Sequence, residues 1–221
     1  MKVAIDGPAG AGKSVLAKAA AKDLGFIYVD TGALYRGIGL YALRRGAGTA
    51  CAEQVVPLLS EIHEEIRFID GEQHVFLNGE DVSGLIRTEE VSKAASDVSA
   101  IPAVRDFLFD MQRSIAEKND VIMDGRDIGT AVLPDAEVKI FLTAKPEVRA
   151  LRRLRQLEEK GIYSSYDEIL RDVNARDYND THRAFRPLRQ AEDAVLLDDS
   201  EMTLGESTEK IKKIILEAKC R

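Results

Sequence analysis

Short apolar runs, each followed by a glycine- or aspartate-marked break and then a longer helical pattern, set the rhythm of this chain. KVAID (2–6) predicts a buried strand, and VLAKAAAKDL (15–24) predicts a helix ended by Gly25. FIYVD predicts a second strand finishing at Asp30, and TGALYRGIGLYALRR a helix closed by Gly46. A further helix is expected from Glu53 to Glu65. Near Arg67 the period drops towards two, and DGEQ and NGED are turn signals. That stretch predicts a small antiparallel hairpin or three-stranded sheet. Helical spacing returns in TEEVSKAASDVSA, with Thr88 as a weak cap, and in IPAVRDFLFDMQRSIAEKN, entered at Pro102. DVIMD, VKIFLTA and AVLLDD predict the third, fourth and fifth core strands, and MTLGESTEKIKKIILEAKC a closing helix. Helical stretches are expected at about 147–159 and 165–177.

Strands alternating with helices predict an α/β protein with a parallel sheet. The continuous pieces 1–61, 101–148 and 188–221 form the expected core, with excursions at 62–100 and 149–187. The 221 residues suffice for one such domain carrying small lids. No run approaches the roughly 20 apolar residues that span a bilayer, and MKVAIDG reaches Asp and Gly too early for a secretory leader. Two cysteines make no disulfide framework, so a cytoplasmic protein with thiols is expected. The formal charge of -7 argues against a general nucleic-acid binder. Arginine is nevertheless concentrated: nine of eighteen fall within 145–190. They gather a polyanion, or they belong to a salt-bridged helical surface, which accounts for about half of them.

Chemistry enters with GPAGAGKS. Gly7, Gly12, Lys13 and Ser14 satisfy G-x-x-x-x-G-K-[ST] between a predicted strand and a predicted helix. Backbone N–H groups must point inward around phosphate oxygens, which calls for residues tolerant of positive φ, here Gly7, Gly10 and Gly12. Pro8, Ala9, Ala11 and Val15 complete the loop and first turn, and the helix presents its positive end. Lys13 is expected to reach the β/γ oxygens of ATP, and Ser14 to coordinate Mg²⁺. The fold expected is therefore a three-layer P-loop NTPase fold: a five-stranded parallel sheet flanked by helices, with a small antiparallel β insert and a helical lid.

A GTPase should carry N-K-x-D, which is absent; KND at 118–120 has the wrong order. Asp81–Gly84 matches D-x-x-G, but in the polar hairpin region rather than after a core strand. Arginines stand at predicted strand ends instead, where α/β sheets bind ligands. Arg36 follows Asp30-Thr31, and Arg126 stands beside Asp127 in DGRDIGT. A structural ion pair is the plain alternative at each place. Guanidinium forks suit a phosphate dianion, and a carboxylate suits a base amine or a ribose hydroxyl.

IDGPAGAGKS, DTGALYR, GEDVSGLIRTEEVS, DGRDIGT and RDYNDTHR, in this order, resemble the bacterial cytidylate kinases, a family of nucleoside-monophosphate kinases, over essentially the whole length. The resemblance implies transfer of the γ-phosphoryl group of ATP to CMP or dCMP with Mg²⁺. It makes 62–100 the nucleoside-monophosphate-binding region and 149–187 the lid. Arg36 and Thr31 are then ligands of the acceptor phosphate, with Arg126 nearer the reaction centre. Ser96, Arg105 and Asp127 become cytosine readers, Arg176 and Arg183 a phosphate clamp, and Asp180 a ribose contact. Positions 176, 180 and 183 suit one helical face. Of the lid arginines 149, 152, 153 and 155, Arg152 or Arg153 is expected on the ATP phosphates. Asp124 either supports metal-bound water or braces the loop, and Asp199–Met202 are placed for adenine by analogy alone. The implied partners are small nucleotides, without nucleic acid or membrane, and the chain is taken as a monomer. A UMP/CMP-type, shikimate-like or gluconate-like kinase is the alternative enzyme, and an ATP-holding nucleic-acid-binding regulator the non-enzyme.

Overall fold

The computed structural model describes residues 1–159 and 161–220. In chain order the first elements are β1 (Lys2–Asp6), α1 (Lys13–Leu24), β2 (Ile27–Asp30), α2 (Thr31–Arg44) and α3 (Ala52–Val55). An antiparallel set follows, β3 (Glu64–Ile69), β4 (Glu72–Leu77) and β5 (Glu80–Asp81), then α4 (Glu89–Ser99) and α5 (Pro102–Lys118). The chain closes with β6 (Val121–Gly125), β7 (Val138–Thr143), α6 (Pro146–Glu159), α7 (Tyr166–His182), β8 (Val195–Asp198) and α8 (Leu204–Lys219). These divide into one unit of Met1–Tyr28 with Asp120–Arg221 and another of Val29–Asn119.

The first unit is built on a sheet of strand order β2-β6-β1-β7-β8. β1 runs parallel to β6 and β7, and β7 parallel to β8. Val3, Ala4, Ile5, Ile122 and Met123 are fully buried, which is why these strands are continuous apolar runs rather than alternating ones. Leu16, Ala17 and Ala20 of α1 pack with Ile211 and Ile215 of α8 and the apolar side chains of β1 and β7. α8 is started by Thr203 and Glu206 in a reciprocal capping box. Strand order reverses direction at β1, so its carboxyl end lies at the switch point where α/β sheets bind ligands. GPAGAGKS begins there.

α6 and α7 pack through Ala150, Leu157 and Ile169. The capping box of Ser165 and Glu168 starts α7, which runs to His182 rather than ending near 177. Arg183 is its C-cap, with extended backbone (φ -60°, ψ 142°). Arg176 and Asp180 therefore share a helix, while Arg183 stands just past its end.

In the second unit α2, α4 and α5 surround a core that includes Leu34, Ile38, Val98, Val104 and Leu108. α2 approaches α4 closely at Gly39, where a Cβ would lie 3.0 Å from the Cβ of Ala94. The β3-β4-β5 sheet has two two-residue turns, Asp70-Gly71 and Asn78-Gly79, with all four residues at positive φ. That is the type I′ geometry matching the twist of a hairpin. The expected helix over 53–65 is not observed. α3 stops at Val55, a 3₁₀ turn covers Val56–Glu61, and β3 begins at Glu64. Pro57 supplies no N–H to continue the helix, and the stretch from Glu64 pairs with β4 from Leu77 backwards.

Candidate active site

The phosphate loop is shaped by contacts that exclude side chains. At Gly7 (φ 153°) a Cβ would lie 1.9 Å from the carbonyl oxygen of Leu142. Gly10 and Gly12 are left-handed (φ 75° and 87°), and Gly12 caps α1. Ala11 is buried beneath the loop, whereas Val15 points outward from the first turn. Lys13 is buried and donates to the Pro8 carbonyl at 2.8 Å. Burial and the nearby Arg126 lower its pKa, with Asp124, Asp180 and Asp6 acting the other way.

Ser14 Oγ donates to Asp124 Oδ2 at 2.9 Å, and Tyr28 donates to Asp124 Oδ1 at 2.9 Å. An apolar strand thus delivers a carboxylate to the start of the nucleotide-binding helix. The Ser14 hydroxyl and the Asp124 carboxylate are hard oxygen donors, and that donor chemistry fits Mg²⁺.

Next to β6, Arg126 Nε donates to Asp180 Oδ2 at 2.7 Å. Burial opposes the charge on Arg126, but Asp180, Asp124 and Asp6 outweigh it and hold its pKa above the ordinary value. Burial likewise opposes the Asp180 carboxylate, and Arg126, Arg176 and Arg183 hold its pKa below the usual range. Arg183 Nη2 lies 3.7 Å from Asp127 Oδ1, with both side chains buried. Arg183 Nε is fixed by the Arg186 carbonyl at 2.7 Å, in a turn that puts Arg186 at positive φ. Lys13, Arg126, Asp127, Arg176, Asp180 and Arg183, spread over 170 positions, form one ionic cluster in this unit.

One support of that cluster was given no role by the sequence. Asp6, the last residue of β1, accepts from the N–H groups of Ile128 (2.8 Å) and Gly129 (2.7 Å), so it pins the DGRDIGT loop. The loop continues as a single π-helical turn, Ile128–Val132, of a kind found at functional sites. Burial pushes the Asp6 carboxyl up to about 6 against those two bonds.

The arginines of α6 differ in their contacts. Arg149 is buried and donates to the carbonyls of Ala144 (2.8 Å) and Ala9 (2.9 Å), and to both oxygens of Asp177. It ties the phosphate loop to β7 and α7. Arg152 is held by Asp199 through the carboxylate and the carbonyl, both at 3.0 Å, beside Gly12. Arg153 bonds Gln156 of its own helix at 3.4 Å. Asp199, placed for adenine by analogy, is thus an arginine holder, and its pKa is raised by burial despite Arg152.

In the second unit Thr31 is the buried first residue of α2, and Arg36 Nη2 donates to Asp30 Oδ2 at 2.5 Å. Arg105 is buried on α5, donates to the Ser99 carbonyl at 3.1 Å and lies over the Tyr35 ring, 5.3 Å from its centroid. Ser99 in turn donates to the Ser96 carbonyl, so Ser96 and Arg105 are each bonded to Ser99 at the end of α4. The Tyr35 ring is thus a platform for Arg105.

Comparison with known proteins bears on this constellation. A family model described as cytidylate kinase matches residues 3–217. The chain belongs to the cytidylate kinase family. The cytidylate kinase of Caldicellulosiruptor bescii is 48% identical over 214 residues, covering 97% of this chain and 95% of that protein. That of Lactobacillus gasseri is 48% identical over 215 residues, covering 97% and 94%. An uncharacterised protein from Eubacterium ventriosum of known structure aligns over 100% of this chain and 99% of its own with a TM-score of 0.55, at 13% identity. That last likeness shows the fold alone. Membership of the family makes the chain a P-loop kinase with ATP as co-substrate. Among the described residues no helix is long and apolar enough to cross a membrane.

Proposed function

We propose that this protein transfers the γ-phosphoryl group of ATP to CMP or dCMP, giving ADP and CDP or dCDP. The observation that carries the reading is a phosphate loop joined by a second cationic set, Arg126, Arg176 and Arg183, on Asp180, in a chain matched over residues 3–217 by the cytidylate kinase model. A hydrolase has no use for a second phosphate grip; a kinase with a phosphorylated acceptor does.

The acceptor nucleophile is a phosphate oxygen, already anionic, so no catalytic base is needed. In-line placement and neutralised oxygens carry the rate. The loop N–H groups and Lys13 hold the donor phosphates, while Arg126, Arg176 and Arg183 stabilise charge on the moving group. Ser14 would hold Mg²⁺, with Asp124 supporting it through water; the ion neutralises β- and γ-oxygens when bound. Thr31 and Arg36 bind the acceptor phosphate, Asp180 the ribose, and Ser96, Arg105 and Asp127 the cytosine. Asp127 can accept from the exocyclic amine that uracil lacks. α6 and α7, with Arg152 on the ATP phosphates, exclude water from the transfer. We place the enzyme in the cytoplasm, where its two free cysteines stay reduced.

A coupled ADP-release assay across CMP, dCMP, UMP, AMP and GMP tests this. CMP and dCMP should turn over well and UMP poorly. Equal or better turnover of UMP overturns the cytosine assignment.

A further inference from the structure

Asp30 has every polar atom engaged, and two of its partners come from the inserted region. Its N–H donates to Gln73 Oε1 at 2.7 Å, and its carbonyl accepts from Gln73 Nε2 at 3.1 Å. A β4 side chain thus pairs with the end of β2 as a neighbouring strand would. Asp30 Oδ1 accepts from Ala33 N–H at 3.1 Å, capping α2. Its Oδ2 accepts from Arg36 at 2.5 Å and from Arg87 at 3.2 Å. We propose that Gln73 and Arg87 are positioning residues: through Asp30 they hold the Arg36 guanidinium ready for the phosphate of the acceptor nucleotide. The proposal rests on Arg36 binding that phosphate, as in the function proposed above.

Three features of the geometry carry it. Asp30 is almost wholly buried, with its side chain 8% exposed, so its position is set by these bonds rather than by solvent. Gly32 is squeezed between the partners: a Cβ there would lie 3.1 Å from Asp30 Oδ1 and 3.3 Å from Arg36 Nη1. A displaced Asp30 therefore displaces Arg36. Finally, two guanidinium groups share one carboxylate, leaving one positive charge in excess, and Arg36 Nε is buried without a hydrogen-bond partner among the described residues. That balance suits an incoming dianion. A free arginine side chain loses rotamer entropy when it is fixed. Fixing it beforehand, through an amide clamp and a second arginine, shifts that cost from binding to folding. The insert then has a chemical task, which no phosphate-loop motif implies.

The test is a double-mutant cycle on KM, with thermal melting of each variant alongside. Arg87→Ala alters a half-exposed side chain, and Gln73→Leu keeps the volume while removing both clamp bonds. Each should raise KM for CMP about five- to tenfold with KM for ATP and kcat changed less than about twofold. Arg36→Ala should raise KM for CMP further, and adding either positioning change to it should do almost nothing more. A purely structural clamp gives additive effects, or lowers kcat and both KM values together, and either result overturns the proposal. So does wild-type KM for CMP in both single variants while Arg36→Ala is impaired. If Arg36→Ala itself leaves KM for CMP unchanged, the phosphate assignment of Arg36 is what has failed, and the positioning role falls with it.

Discussion

In the unit built on the parallel sheet, buried carboxylates stand in networks. Asp6 accepts from two backbone N–H groups and Asp180 from Arg126. The unit spanning Val29–Asn119 has one such networked carboxylate, Asp30, but it also buries Glu64 with neither carboxylate oxygen hydrogen-bonded among the described residues. Its Oε1 lies against Gly37 of α2, where a Cβ would come within 1.9 Å. Burial alone drives the Glu64 carboxyl well above the usual carboxylate range, which favours its neutral form. The contrast is between carboxylates set among cations and N–H donors and one set against a helix backbone. A site that stabilises charge on a moving phosphoryl group needs its own charges fixed and compensated beforehand. A helix-sheet contact needs only shape, and it tolerates a carboxylic acid once that has become neutral.

The largest way to break this contrast is to remove a fixed charge from the network. Arg126→Ala should lower kcat by roughly a hundredfold or more, about 3 kcal/mol, measured at saturating ATP and CMP. A smaller loss would place Arg126 in structural service to Asp180 rather than at the transferring group.

Next come the two glycines that meet an obstacle at the same distance. Gly7→Ala faces a backbone carbonyl at an unfavourable φ and should cost roughly 3 kcal/mol or more in urea unfolding. Gly37→Ala faces only the end of a side chain and should cost about 1–3 kcal/mol. Glu64→Ala should relieve the second cost in the double variant. Additive losses at Gly37 and Glu64 would contradict the contact described.

The smallest effect concerns pH. The folded state holds the Glu64 proton more tightly than the unfolded chain does. Its contribution to stability is therefore fully present below the unfolded carboxyl's value and is lost as pH rises through the raised one. Glutamine is neutral throughout. Glu64→Gln should gain stability over the parent as pH rises from 5 to 8, as denaturant midpoints would record. A constant difference across that range would mean that Glu64 is ionised in the fold.

The phosphate loop was legible because a strand, a glycine-rich turn and a helix start are all local, and their residues must be adjacent to shape backbone N–H groups around phosphate. The parallel strands were legible because burial on both faces makes each one a short apolar run. Arg149, Asp177, Gln73 and Arg87 were not, since each works through a partner far along the chain. Arg149 meets Asp177 and the loop carbonyl of Ala9, 140 positions away, and nothing in PEVRA separates this buried brace from its solvated neighbours. The helix expected over 53–65 was cut short at Pro57, and pairing of β3 with β4 took over only from Glu64.

By itself, then, the sequence determined the α/β class, the phosphate loop, the helix cap at Thr88 and the helix end at Gly25 and, through motif resemblance, the family and its candidate residues. These rest on local backbone preference and on residue types in fixed order. Tertiary structure alone decided that Arg149 is a buried brace, that Asp6 pins a loop from the neighbouring strand, and that Asp30 is clamped by Gln73 and Arg87. Those outcomes depend on burial and on distances between remote side chains, and no periodicity in the chain encodes either.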